Sequence, residues 1–130
     1  MSMLDTYRNN LLRKREEAAK LNQDLAKEQA KIAPLQQKII SANAAIGRTK
    51  SASTIKSKLN EIERANKAIA DTQKKVGDIQ KKLAQKEKEI AAAEKTYHNE
   101  ETKVNKKAAD AEKKRIHCLL YTSDAADDRI

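Results

Sequence analysis

Ile55, Ile62, Ile69, Val76, Leu83, Ile90, Tyr97, Val104 and Ala111 follow one another at strict seven-residue intervals through a stretch otherwise rich in Lys, Glu and Gln. Seven residues are two turns of a slightly underwound helix, so a ridge held in phase this long must be matched by a second helix wound along it. The spacing predicts an all-α chain built to associate.

A second register precedes Gly47. Leu4, Leu11, Ala18, Leu25, Ile32, Ile39 and Ile46 form one apolar column, with Tyr7, Leu21, Leu35 and Ala42 three residues later. From Ile46 to Ile55 is nine residues, not seven, and the phase breaks. The expected organisation is a first helical block over 1–46, a connector over 47–53, a long heptad helix over 54–116 and a tail over 117–130. Ser2 is the expected first cap, with Asp5 placed favourably beside the helix N-terminus. Pro34 removes a backbone donor and clashes with the preceding turn, which predicts a kink between Ala30 and Pro34, or a full break. Gly47 is expected to end the block in the left-handed conformation, and Ser53 or Thr54 to cap the next helix.

With the long apolar line as position a, position d of the second helix reads Lys58, Ala65, Thr72, Ile79, Lys86, Ala93, Glu100 and Lys107. A strong a column beside small or charged d residues specifies oligomeric state poorly and suggests modest stability, register freedom, or completion by the first block folding back as a hairpin. Gly77 weakens the helix further, by about 1 kcal/mol relative to Ala. The expected self-association residues are Leu11, Leu25, Ile32, Ile39, Ile55, Leu59, Ile62, Ile69, Val76, Ile79, Leu83, Ile90, Tyr97 and Val104.

Composition excludes most other classes. The chain has no Phe or Trp and only three Tyr, so a sizeable globular core is not expected. No apolar run approaches the roughly 20 residues that cross a bilayer, and the N-terminus lacks the features of a secretory signal; a cytoplasmic location follows as the expectation. One cysteine, Cys118, and two glycines, Gly47 and Gly77, leave no CxxC metal site, P-loop or dinucleotide fingerprint. No cofactor and no enzymatic activity are expected. His98 shares a helix face with Glu94 and Glu101, but three groups on one exposed helix lack the cavity and convergent partners that tune a site. The sequential pairs Glu16, Glu17 and Glu100, Glu101 point about 100° apart and cannot straddle one bond.

Lys67, Lys74, Lys81, Lys88 and Lys95 recur every seven residues, on the side farthest from the seam. They read as a solvated face. Against nucleic acid or an anionic membrane as partner stand their spacing of about 10.5 Å, the neighbouring Glu87, Glu94 and Glu101, and the lack of aromatic residues for base stacking.

From Cys118 the composition changes abruptly. CLLYTSDAADD resembles the translated product of a sequencing-library adapter, so residues from Cys118 onward are expected to be non-biological and the natural chain to continue differently after His117. Without Arg129, Asp124, Asp127 and Asp128 the chain holds 27 basic and 16 acidic residues, a net charge of +11.

The segment IGRTKSASTIKSKLNEIER, Ile46 to Arg64, resembles the pattern IG(R/K)T-x-S-x-ST-x-K(S/T)KL-x-EI-x-R in the helical N-terminal region of bacterial TIR-domain proteins. The matching positions are Ile46, Gly47, Arg48, Thr49, Ser51, Ser53, Thr54, Lys56, Ser57, Lys58, Leu59, Glu61, Ile62 and Arg64. The resemblance implies a helical leader to an NAD-cleaving α/β effector domain acting in bacterial immunity or virulence. That domain's strands and catalytic glutamate have no counterpart here, so no catalytic residue is carried over. The expected function is a non-catalytic coiled-coil oligomerisation or regulatory region, a homo-oligomer through its helices. The alternative is a basic helical rod that binds nucleic acid or anionic membrane nonspecifically.

Overall fold

The computed structural model describes residues 2–127, with side chains described as far as Leu120. It is all-α, with α1 (Met3–Ala30), α2 (Ile32–Arg48) and α3 (Ala52–Asp127) of 28, 17 and 76 residues. Among the described residues there is no strand, and no helix is long and apolar enough to cross a membrane.

Local chemistry sets the ends of these helices. The Ser2 hydroxyl accepts from the Asp5 amide at 3.1 Å, and Asp5 lies in the first turn of α1. The interruption expected near Pro34 falls at Lys31, whose amide makes a tight bond to the Glu28 carbonyl at 3.1 Å. Lys31 keeps helical angles, φ −75° and ψ −21°, so the break is confined to one residue. It places Pro34 in the first turn of α2, where a missing amide costs little.

Two expectations at the connector are corrected. Gly47 lies inside α2, and no glycine has positive φ. The helix ends instead at Thr49, which turns extended with φ −116° and ψ 149° and needs no left-handed residue. The cap of α3 is Ser51, not Ser53 or Thr54: its hydroxyl accepts from the Thr54 amide at 3.4 Å and its carbonyl from the Ile55 amide at 3.0 Å. Thr49 Oγ1 in turn accepts from the Ser51 amide at 3.2 Å. These hydroxyl bonds shorten the connector to residues 49–51. α3 continues past His117 through much of the 117–130 tail, whose last three residues lie outside the described ones.

The chain divides into two compact units, 14–89 and 1–13 with 90–130. In the first, the α1 segment and α2 run antiparallel to α3. Lys14 meets Glu89, Glu17 meets Lys86, and Lys75 lies near enough to favour the charge on Glu28. The two residue numbers sum to 103 in every case, a single uninterrupted register. Farther along, Pro34 to Ala42 share a groove with Lys58 to Ala68. In the other unit Leu11 and Ala93 are buried, and Asp5 and Arg8 lie near Tyr97.

Candidate self-association surface

In the 14–89 unit the small side chains are the buried ones. Ala42, Ala65 and Thr72 are covered, together with Leu83, while Leu25, Ile32, Ile39, Ile55, Ile62, Ile69, Val76 and Ile79 are only half-buried. Small residues let two helix backbones approach, and larger side chains then pack along the flanks of that contact. The Thr72 hydroxyl donates to the Ala68 carbonyl at 2.8 Å, so its burial leaves no stranded polar group. Leu59 is 53% exposed. It follows Ile55 by four residues and precedes Ile62 by three, so the three occupy one strip of α3.

Charge completes the packing where apolar side chains are missing. Lys86 donates to Glu17 across the helices and lies 3.6 Å from Glu89 on its own helix, which Lys14 approaches to 3.3 Å. The hydrogen bond to Glu17 is the main reason that the Lys86 ammonium holds its proton above the ordinary lysine range, with Glu17 and Glu89 adding charge attraction against partial desolvation. Near the α1 terminus Glu28 accepts from Lys31 at 2.8 Å, which pulls its pKa below the ordinary value, helped by the charges of Lys31 and Lys75. Its second oxygen, Oε2, is buried without a hydrogen bond.

In the unit formed by 1–13 and 90–130, Leu11 is buried, Ile90 and Tyr97 are half-buried and Val104 is exposed. The Glu101 carboxylate beside the Tyr97 hydroxyl raises its pKa; partial desolvation and the charge of Asp5 add to the effect, and Arg8 opposes it. Its ring lies 5.5 Å from that of His98, tilted by 60°. Every residue from Thr102 to Leu120 is exposed.

The expected association residues are therefore not equivalent. Leu11 and Leu83 are consumed inside the fold, Leu59 and Val104 are open, and the rest present part of their surface to solvent. Sequence reasoning placed Ala42 in an apolar column but missed Ala65, Thr72 and Ala93 as buried positions, and Lys14, Glu17, Lys86 and Glu89 as their charged complement. Of the d-position lysines, Lys86 pairs across the helices with Glu17, whereas Lys58 pairs with Glu61 on its own helix. Lys67, Lys74, Lys81, Lys88 and Lys95 are all exposed. Among the described residues no cluster of three or more His, Cys, Asp or Glu side chains is arranged to hold a metal ion.

Comparison with protein-family models, with curated proteins and with solved structures finds no match.

Proposed function

We propose that this chain is a non-catalytic self-association region of the kind that precedes an effector domain in bacterial TIR-domain proteins, working in the cytoplasm. The observation that carries the reading is the apolar strip of Ile55, Leu59 and Ile62 on α3, in which Leu59 is exposed and Ile55 and Ile62, like Ile69 and Val76 beyond them, are half-buried. A second copy laid along this strip removes apolar surface from water at about 25 cal/mol per Å². Joining copies in this way raises the effective concentration of whatever domains they carry to about the millimolar range, which favours chemistry completed across a domain contact. The segment Ile46 to Arg64, which carries the resemblance to TIR leaders, contains Ile55, Leu59 and Ile62.

Sedimentation of the full chain tests the proposal, with an oligomer expected for the unaltered protein. Ile62, Ile69 and Val76 also serve the internal packing, so their joint replacement by Asp is expected to abolish oligomers and to lower helicity together. Leu59→Asp separates the two roles: it is expected to lower the mass while leaving helical circular dichroism unchanged. A monomeric wild type, or an oligomer indifferent to Leu59→Asp, would sink the assignment to this strip. No NAD turnover is expected from residues 1–117, and measurable turnover would overturn the non-catalytic reading.

A further inference from the structure

α3 has a stretch that no other helix covers. Residues 102–117 are exposed on every side and hold six basic against two acidic residues, a net charge of +4 in sixteen positions. At 100° per residue, Lys103, Lys106, Lys107, Lys113 and Lys114 fall within an arc of about 120° and a length of about 17 Å. Asp110 lies in the same arc. Glu112 is engaged on the far side by Arg115, whose Nε donates to it at 3.1 Å. Among the described residues none of the five lysines is in an ion pair.

We infer that this lysine stripe binds the phosphate backbone of double-stranded DNA, without regard to sequence, by laying the bare helix in the major groove. A helix with its side chains is about 10–12 Å across and the B-form major groove is about 12 Å wide, so a single uncovered helix enters where a packed pair does not. The opposite flank selects against other partners. Within 102–117 the flank away from the lysines offers Val104, Ala108, Ala111 and one larger side chain, Ile116, with the exposed Leu119 and Leu120 beyond the stripe in the adapter-like tail; this is less apolar area along the stripe than surface-lying membrane helices bury among lipid chains. A second copy would bring two stripes of like charge together. Without arginine forks or amides aimed at base edges, the contacts position the helix and carry no sequence preference.

Binding of the full chain to a short fluorescein-labelled duplex of mixed sequence, followed by anisotropy, tests the inference. Five phosphate contacts give a slope of log K against log salt of about −4.5, roughly a 500-fold loss between about 50 and 200 mM. Replacing Lys103, Lys106, Lys107, Lys113 and Lys114 by Gln, a comparable helix former, is expected to preserve helicity and remove nearly all of this binding. The same change at Lys67, Lys74, Lys75, Lys81 and Lys82, all exposed, is expected to leave most of it. Absence of binding at low salt, or equal loss in the two variants, overturns the proposal. So does tight binding of phosphatidylserine vesicles by a chain that ignores the duplex.

Discussion

Lys86 of α3 donates to Glu17 of α1, and this contact makes an asset of a position that hydropathy scores as a defect in the seam. Three residues back on α1 and three residues on along α3, Lys14 and Glu89 repeat it with the charges reversed, at 3.3 Å. The alternation admits an antiparallel neighbour in one register and opposes slippage, because a shift of one turn sets like charges against each other.

Reversing one charge of this set, by Glu17→Lys or Lys86→Glu, is expected to lower the thermal midpoint, and combining the two to restore most of it. Additive losses in the double variant would show that the residues do not interact. The raised pKa of Lys86 gives a second readout. Its contribution is complete below the unfolded lysine pKa and is lost as pH rises through the folded value, so alkaline destabilisation should be steeper in the wild type than in Lys86→Met.

Ala65, only 5% exposed, faces α2 across the groove that Pro34 to Ala42 share with Lys58 to Ala68. Enlarging it to Leu is expected to cost about 1–3 kcal/mol by overpacking, measured by urea unfolding. A hydrophobicity argument predicts the opposite sign, so the experiment distinguishes packing from composition.

Gly77 lies within α3, and a Cβ placed on it meets nothing within 4 Å. Gly77→Ala is therefore expected to stabilise the chain by about 0.5–1 kcal/mol, through a less flexible unfolded state and better helix propensity. Destabilisation in the same unfolding experiment would point to a close neighbour at this position.

Tyr97 should ionise above the ordinary tyrosine range, because a deprotonated oxygen would face the Glu101 carboxylate. Tyrosinate absorbance during an alkaline titration of a Tyr7→Phe, Tyr121→Phe background reports it alone. Glu101→Ala is expected to move the transition to lower pH, and an unmoved transition would remove that carboxylate from the account.

The repeat of Ile55, Ile62 and Ile69 was enough to read long helices, and the proline pattern enough to place an interruption beside Lys31. What the pattern concealed was the identity of the closest-packed residues. Ala65 and Thr72 score poorly on any hydropathy scale, yet their small size is what admits a neighbouring backbone. Gly47 differs for a related reason: glycine permits a left-handed stop, but the helix ends on an extended Thr49 held by the hydroxyl bonds of Thr49 and Ser51, and the permission goes unused. Lys86 looked like a flaw because Glu17 lies 69 positions away, beyond the reach of any local pattern.

Only Thr49, Lys50 and Ser51 separate α2 from α3. So short a tether makes the first interhelical contacts nearly free of loop-closure entropy, and each later contact inherits a gap already shortened by the one before. Unit 14–89 is thus suited to zipper outward from its bend, with the nucleus at the hydroxyl-rich corner and the Lys14 end closing last.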